Sequence, residues 1–369
     1  MTVLDLELPE AIRSRAEAIF AEGAEEWTTS DVPEGTAERT LRAALGSGLD
    51  RLAIDGEGPA AFVEVLMGLA TVFPAAAVVL TMHGAVLHLA TSSGTESQRA
   101  RVLKDGILWG FGAAPPAEGP RAQVARSADG AVLSGSLRRV SGAGIAGGLA
   151  VLVPYGDKSA LLLLESDRQG VAAGTSWAGS GLRASSTRQV SFDGVNVDRD
   201  DVVTLVSSAD ERPSWETAML GLLAVCAGIA RRAATIAIER LRDPRAGAAV
   251  RRNSRSAIAQ VLEEATAAMA VTRAAAARAR RGPVDRVRVL GSKMATAAMA
   301  ERAVAAARLV VGMDGFEAPH PLERLSRDAL GVRHFFPVDP IALDAMLEEV
   351  APEEAVKDRA AGGSPGRQK

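Results

Sequence analysis

The spacing of apolar residues changes twice along this chain, and that change is the strongest constraint on its fold. From Pro9 to about Gly110 apolar side chains recur at helical spacing. From about Pro120 to Val206 the chain consists of short apolar runs separated by turn signals, which is typical of strands. Helical spacing returns from Trp215 onward. The pattern predicts an α+β protein, mainly α, in which a β segment lies between two helical segments.

Individual elements follow from the same spacing and from turn residues. The predicted helices are one that contains Ile12 and Phe20, then Thr36–Ala44, Ala60–Leu89 with an interruption near Pro74, Met219–Leu241, Ser256–Arg281, Leu290–Val311 and Asp339–Val350. The predicted strands are Gln123–Ser127, Ala131–Val140, Leu149–Pro154, Ala160–Glu165 and Val190–Val197. Ala128, Asp129 and Gly130 signal a hairpin between the first two strands. Because no helical stretch separates the strands, we predict an antiparallel sheet.

These elements divide the chain into three predicted domains and a tail. Residues 1–115 would form an N-terminal helical domain, residues 116–208 a middle β domain and residues 209–350 a C-terminal helical domain. The segment 351–369 is rich in Gly, Pro and charged residues, which predicts a disordered tail.

Composition narrows the class of protein. The formal net charge of -3 gives no broad field that would attract nucleic acid. The single cysteine, Cys226, cannot form an internal disulfide or a multi-cysteine metal site, which fits a reducing cytoplasm. The acidic start lacks the basic region of a signal peptide. The apolar stretches Val72–Leu80 and Met219–Ala230 are shorter than the ~20 residues of a membrane span. We therefore expect a cytoplasmic protein without a membrane span.

Several short motifs occur in a fixed order along the chain. Gly312–Phe316 reads Gly-x-x-Gly-aromatic, Pro321–Arg324 reads Pro-Leu-Glu-Arg, and Arg327–Ala329 reads Arg-Asp-Ala. Gly181–Thr187 and Val190–Val197 lie upstream, in the predicted β domain. All five resemble segments of the acyl-CoA dehydrogenase superfamily, in that family's order. Leu133–Ser136 and Gly94–Arg99 are also similar to family segments.

The resemblance implies a fold, a cofactor and partners. It implies an N-terminal helical domain, a middle antiparallel β domain and a C-terminal four-helix bundle. The implied activity is flavin-dependent oxidation of an acyl thioester, carried by CoA or a carrier protein, with FAD as cofactor. The implied partners are an electron-acceptor flavoprotein and further copies of this chain in a homodimer or homotetramer.

The glutamate that carries the chemistry in typical family members is missing. In those members it follows the Arg-Asp-Ala motif within a few residues. Here that interval reads Arg333-His334-Phe335-Phe336-Pro337, and Phe336 stands at the position of the glutamate. Desaturation of an acyl thioester requires removal of an α-proton, and a phenylalanine cannot accept one.

Three interpretations of this substitution remain open. In the first, the base is relocated to Glu216 at the start of the first long helix of the C-terminal domain, where some family members place theirs. Alternatively, the chain is a two-component flavin monooxygenase, with FMN or FAD supplied by a flavin reductase and with His334 or His83 near the ring. As a third alternative, the chain is a non-catalytic subunit of a mixed oligomer. Each histidine also fits a purely structural role, and Glu216 fits a favourable helix-start charge.

The resemblance also suggests which residues contact the flavin. Phe111, Gly112 and Ala113 match one flavin-contacting strand, although Ala114 replaces the family's threonine there. Ser141 matches the end of a second such strand. Main-chain groups could still bind the ring where side chains are lost.

Gly312 and Gly315 match a glycine segment that lies against a neighbouring subunit's flavin in the family, although both also fit a helix C-cap. Leu309 replaces the glutamine that usually precedes this segment. The basic stretch Glu239–Arg245 does not reproduce the family's Arg-x-x-Phe-Gly motif.

The run Gly142–Gly147 matches the pattern G-x-G-x-x-G of dinucleotide-binding folds. That pattern binds pyrophosphate only where a helix follows it. Because Leu149–Pro154 is a predicted strand, we do not expect a dinucleotide site here.

Arginine-rich helical segments at 231–232, 251–252 and 278–281 suggest solvated helix faces or subunit contacts rather than a nucleic-acid surface.

Overall fold

The computed structural model describes residues 5–22, 34–55, 58–127, 130–206, 215–244, 252, 254–281, 285–335 and 337–351. The helices are α1 (Glu10–Glu22), α2 (Glu34–Gly46), α3 (Gly58–Val72), α4 (Pro74–Ser93), α5 (Glu96–Val102), α6 (Trp215–Arg242), α7 (Arg255–Ala279), α8 (Arg286–Val311), α9 (Pro321–Arg333) and α10 (Asp339–Val350). The strands are β1 (Trp109–Gly112), β2 (Gln123–Ser127), β3 (Gly130–Val140), β4 (Gly148–Tyr155), β5 (Lys158–Glu165), β6 (Val171–Ser176), β7 (Arg188–Val197) and β8 (Val202–Val206).

The predicted order of helices, strands and helices is confirmed. The long apolar segment is two helices, α3 and α4, and α4 begins at Pro74 in its first turn, where a missing N–H is tolerated. Helix α5 begins at Thr95, whose hydroxyl accepts from the Gln98 N–H while the Gln98 side chain accepts from the Thr95 N–H.

One helix was not expected. Beyond the four predicted C-terminal helices, α9 spans Pro321–Arg333, and the His320 ring accepts a hydrogen bond from the Leu322 N–H at its start. Proline at the first helical position was the available signal.

The strands form one sheet in the order β6-β7-β3-β2-β4-β5-β8, and β1 pairs with β4. Most neighbours are antiparallel, as predicted, but β1 and β2 both pair with β4 in parallel. The expectation of a purely antiparallel sheet was therefore incomplete. Strand β1 follows α5 rather than another strand, so no hairpin turn dictates its direction relative to β4.

The hairpin between β2 and β3 is antiparallel, with Ser127 opposite Gly130. The turn residues Ala128 and Asp129 lie outside the described residues. The G-x-G-x-x-G run leads directly into strand β4. The prediction that a strand, rather than a helix, follows this run is confirmed.

One continuous apolar core joins the two helical segments. It combines buried residues of α3 and α4 with those of α6, α7 and α8. Helix α6 packs against α3, α4, α7 and α8 and is the central helix of this core. Cys226 lies on α6 and is 1% exposed, and burial raises the pKa of its thiol to about 12. Cys226 therefore behaves as a small buried apolar group.

Close approach of these helices depends on small residues. A Cβ atom added to Gly228 of α6 would overlap the Met67 main-chain oxygen of α3. A Cβ atom on Gly221 would overlap the Thr81 side chain of α4. The glycines therefore allow the backbones to approach where alanine would push them apart.

Two helices are longer than the apolar stretches that the sequence indicated. Pro74–Ser93 and Glu216–Arg242 are long and apolar enough to cross a membrane by length and composition. Their most apolar windows are 83% and 78% buried inside the fold, as is common for core helices, so they are weak indications of a span.

Candidate active site

The ends of β1 and β3 bring together two of the predicted cofactor contacts. The Phe111 N–H donates to the Ser141 carbonyl at 3.2 Å, and the Ser141 N–H donates to the Phe111 carbonyl at 2.9 Å. Ser141 is buried and Phe111 is half-buried. The two segments that the family resemblance assigned to a flavin are thus neighbours in space, although 30 residues separate these two positions in sequence.

Gly112 is explained by packing within this junction. A Cβ atom on Gly112 would lie 2.6 Å from the Val140 side chain of β3. Only glycine allows β1 to lie this close to the end of β3. Ala113 follows as a half-buried residue, and the Ala114 carbonyl accepts a hydrogen bond from the Arg138 N–H at 3.0 Å.

His83 supports the beginning of β1. Its Nδ1 accepts a hydrogen bond from the Trp109 N–H at 3.1 Å. The ring hydrogen therefore lies on Nε2, which faces the Asp50 carboxylate at 3.4 Å. His83 is 1% exposed. Both ring nitrogens have protein partners, so the structure favours a positioning role for His83 over contact with a reacting group.

The loop after β3 is held by the segment before β7. The Gly142 N–H donates to the Ser185 carbonyl at 3.1 Å, and the Gly144 N–H donates to the Ser186 carbonyl at 3.0 Å. The hydroxyls of Ser185 and Thr187 lie 2.7 Å apart and bond to each other. These contacts fix the conformation of the chain directly after Ser141.

Two motifs that are far apart in sequence form one contact. The Asp328 carboxylate of α9 accepts a hydrogen bond from the Leu182 N–H at 2.6 Å, and the Arg327 guanidinium donates to the Ser180 carbonyl at 2.8 Å. A Cβ atom on Gly181 would overlap the Arg327 carbonyl. The Arg-Asp-Ala motif therefore docks α9 onto the sheet through the Gly-Leu-Arg segment.

Burial is the largest influence on the pKa of the Asp328 carboxyl in this contact. Asp328 is 3% exposed, and its burial raises the pKa of the carboxyl above its ordinary value. The Arg324 guanidinium opposes that shift, as does the hydrogen bond from Leu182.

The glycine segment after α8 forms a surface turn. Gly312 ends α8 with φ +85°, a conformation that favours glycine, which supports the C-cap interpretation. The Arg308 side chain donates to the Gly315 carbonyl at 3.2 Å and lies 4.4 Å from the centre of the Phe316 ring. Leu309 and Met313 are 74% and 71% exposed. This turn packs on α8 and α9, and its apolar side chains face outward.

The two candidate catalytic residues lie on different helices that pack together. Glu216 is half-buried in the first turn of α6. His334 is exposed at the end of α9, where its Nδ1 lies 2.8 Å from the Leu330 carbonyl. Because a carbonyl only accepts, Nδ1 carries the hydrogen and Nε2 faces away from this bond. Phe336 lies outside the described residues.

Lys293 binds the main chain on both sides of position 336. Its ammonium donates to the main-chain carbonyls of Arg333 at 2.8 Å, Phe335 at 3.1 Å and Pro337 at 3.0 Å. The side chain is 0% exposed, and burial lowers the pKa of the ammonium, against the attraction of Asp339. Sequence reasoning missed this residue. The available signal was a lysine on the apolar face of a helix, because lysine is almost never buried without partners.

Comparison with known proteins identifies the fold and the C-terminal region. Residues 217–344 match the family model described as acyl-CoA dehydrogenase, C-terminal domain. No curated protein matches the chain in sequence. Butyryl-CoA dehydrogenase from Megasphaera elsdenii has a similar structure, with a TM-score of 0.80 and 18% identity over 93% of this chain and 98% of that chain.

Two further solved structures are similar. Glutaryl-CoA dehydrogenase from Mycobacterium smegmatis has a TM-score of 0.80 and 17% identity, over 94% of this chain and 96% of that chain. KijD3, solved with FMN and dTDP-3-amino-2,3,6-trideoxy-4-keto-3-methyl-D-glucose, has a TM-score of 0.75 and 21% identity, over 100% of this chain and 98% of that chain. The chain therefore has the fold of acyl-CoA dehydrogenases, and residues 217–344 match the C-terminal domain of that family.

The residues at the junction of β1 and β3 fit a flavin. Arg138 lies beside the end of β1, and its Nε is buried without a hydrogen-bond partner among the described residues. A bound acceptor group would satisfy this donor, and flavins carry acceptors in their ring carbonyls and phosphates. The hydroxyl that the family's threonine would contribute is absent at Ala114, so the fit relies on main-chain groups and on Ser141.

Proposed function

We propose that the protein is a flavin-dependent oxidoreductase that oxidises an acyl thioester, carried by CoA or a carrier protein, at the α,β-carbons. The observation that carries this proposal is the likeness of nearly the whole chain to butyryl-CoA dehydrogenase, which covers 93% of it at a TM-score of 0.80. The junction of Phe111 with Ser141 supports it, because the two segments that the family resemblance assigns to the ring meet there.

In this proposal, FAD lies beside Phe111, Gly112 and Ala113 and is held by the Ser141 hydroxyl, because the main-chain N–H groups of Phe111 and Ser141 are bonded to each other's carbonyls. When bound, the flavin supplies a hydride acceptor. The helical segments on either side of the sheet exclude water, and Glu216 takes the α-proton onto its carboxylate. Glu216 supports this role by its half-buried position in the first turn of α6.

The spectrum of the purified protein tests the proposal. We expect a flavin absorbance, with the cofactor identified by mass after denaturation, and bleaching of the colour when an acyl-CoA is added without oxygen. A colourless protein that takes up neither FAD nor FMN would instead favour the non-catalytic subunit.

Exchange of Glu216 tests the base. We expect Glu216→Gln to lower kcat for acyl-CoA oxidation by about 10²–10⁴-fold, because the amide cannot take the proton. Glu239→Gln is the matched control, since Glu239 lies on the same helix and its side chain is 59% exposed. Full activity of Glu216→Gln in steady-state assays would exclude Glu216 as the base.

A second candidate function is a two-component flavin monooxygenase. It is favoured by the phenylalanine at position 336 and by the likeness to KijD3, a structure that contains FMN. In this alternative a reductase delivers reduced flavin, and the role proposed for His334 uses Nε2, since Nδ1 is bonded to the Leu330 carbonyl. Oxygen consumption that depends on an added flavin reductase and on the substrate would support it, whereas anaerobic bleaching by acyl-CoA supports the first function.

We also infer a cytoplasmic homo-oligomer, a homodimer or homotetramer. The exposed apolar side chains of the turn at Gly312–Phe316 support self-association, because clustered exposed apolar groups mark interaction surfaces.

A further inference from the structure

We propose that Arg138 and Arg139, at the end of β3, form a binding site for the phosphate group of a ligand held at the junction of β1 and β3. This inference rests on the proposed function, because it assumes that a flavin or an acyl thioester binds at this junction. It adds a specificity role for two residues that the family resemblance did not assign. In that resemblance an aromatic residue, not an arginine, stands at position 139.

Both guanidinium groups lack partners in the protein. Among the described residues, neither Arg138 nor Arg139 makes a side-chain hydrogen bond or an ion pair, and the buried Nε of Arg138 has no acceptor. Arg101, Arg168 and Arg273, by contrast, are each paired with at least one carboxylate. The buried Nε of Arg138 is unfavourable unless something else supplies the acceptor, whereas the exposed guanidinium of Arg139 is accessible to a ligand.

The two like charges lie close to each other. Burial lowers the pKa of the Arg139 guanidinium, and the neighbouring Arg138 lowers it further. No carboxylate within reach offsets the repulsion in the described part of the chain, since no acid affects the pKa of Arg139. A bound anion would relieve the repulsion and satisfy the buried donor at the same time.

The backbone at this position is specialised. Arg139 has φ +58°, in the left-handed region that L-residues other than Gly, Asn and Asp rarely adopt. The pairing of β3 with β7 also shifts register between Leu137 and Val140, as in a β-bulge. Bulges bend a strand and redirect side chains next to functional sites. The strained backbone therefore occurs where the two arginines adjoin the candidate cofactor strand.

Phosphate is the anion that best fits this pair. Arginine binds phosphate through two parallel hydrogen bonds, and two adjacent guanidinium groups match a doubly charged group. The phosphate can come from two sources in the proposed function, the flavin itself or the CoA part of a thioester. The experiment distinguishes them.

Ligand pairs that differ in their phosphates test the site. FMN is compared with riboflavin, and butyryl-CoA with butyryl-pantetheine, by binding titrations with the full-length protein. We expect the wild type to prefer the phosphorylated member of at least one pair. In Arg138→Gln/Arg139→Gln that preference falls by about tenfold or more, because charge-assisted hydrogen bonds are lost. Arg138→Lys/Arg139→Lys retains part of it.

Arg126→Gln is the matched control. Arg126 lies opposite Ala131, at the other end of β3, and its guanidinium stacks over the Tyr155 ring. We expect it to bind all four ligands as the wild type does. If the double variant does not fold, the single variant Arg139→Gln is used for the test, because Arg139 is exposed and its exchange leaves the core intact.

The outcomes separate this inference from the proposed function. Loss of the preference for FMN assigns the site to the flavin phosphate, and loss of the preference for butyryl-CoA assigns it to the thioester. A folded Arg139→Gln or double variant that keeps both preferences overturns the inference alone. A wild type that binds none of the four ligands overturns the proposed function, and the inference with it.

Discussion

At the scale of single residues, the buried carboxylate of Asp328 is a source of pH-dependent stability. Burial raises its pKa above 3.8, so the folded protein keeps this proton at pH values where the unfolded chain has lost it. The contribution of Asp328 to the free energy of unfolding is therefore largest below about pH 3.8 and falls as the pH rises through the raised pKa.

Exchange of Asp328 by asparagine and by alanine separates charge from hydrogen bonding. Asp328→Asn keeps an oxygen that accepts from the Leu182 N–H, but it has no carboxyl to titrate. The free energy of unfolding of this variant should therefore not fall with rising pH as that of the wild type does. Asp328→Ala leaves that N–H unpaired and should be less stable by about 1–3 kcal/mol. Urea unfolding across this pH range measures both, and an asparagine variant with the wild-type slope would show that another group titrates.

Lys293 gives a second prediction at this scale. Lys293→Met removes the donor to three main-chain carbonyls, and we expect it to lower the free energy of unfolding by about 3 kcal/mol or more. Lys158→Met, at an exposed lysine of β5, should change it by less than about 0.5 kcal/mol. Equal effects of the two substitutions in urea unfolding would show that the three hydrogen bonds of Lys293 do not stabilise the fold.

Residue roles were only partly predictable from sequence. The motifs around Gly181 and Arg327 were recognised separately, but their contact spans about 146 residues and no local pattern announces it. Lys293 was missed because its partners are main-chain carbonyls, which any sequence provides. The roles of Glu216 and His334 stay predictions.

At the scale of elements, helix packing predicts that alanine has opposite effects on stability at two helical glycines. Alanine is favoured over glycine within a helix by about 1 kcal/mol. On α8, Gly291→Ala should stabilise the protein by about that amount, because the new Cβ meets only the Met346 side chain, at 3.5 Å. On α6, Gly228→Ala should destabilise it despite the same gain, because the Cβ would overlap the Met67 carbonyl. Thermal unfolding of both variants checks this, and a stabilised Gly228→Ala would mean that α3 yields easily.

Most elements could be predicted because their apolar spacing is long and regular. Helix α9 was missed because its segment was interpreted only as a family motif, and its amphipathic helical spacing was not considered. The parallel pairing of β1 with β4 was missed for a different reason. A strand of four residues, Trp109–Gly112, at the end of a helical stretch carries too little periodicity to be distinguished from a loop.

At the scale of the whole molecule, the apolar turn after α8 predicts self-association. Leu309, in the last turn of α8, and Met313, on the turn that follows, are 74% and 71% exposed. We expect Leu309→Glu/Met313→Glu to lower the molar mass in light scattering, because buried charges oppose an interface. Leu205→Glu, at a 43% exposed residue of β8, should leave it unchanged. An unchanged mass for the double variant would place any interface elsewhere.

The shared core of the two helical segments has a consequence for how the chain is made. Helix α4 is apolar almost throughout, and its partner α6 begins roughly 120 residues later. At a translation rate of about 5–20 residues per second, α4 waits roughly 6–24 s on the ribosome before α6 can cover it. We expect nascent chains whose synthesis is stopped within the sheet segment to bind chaperones. The chaperones should dissociate once the last helices have emerged from the ribosome.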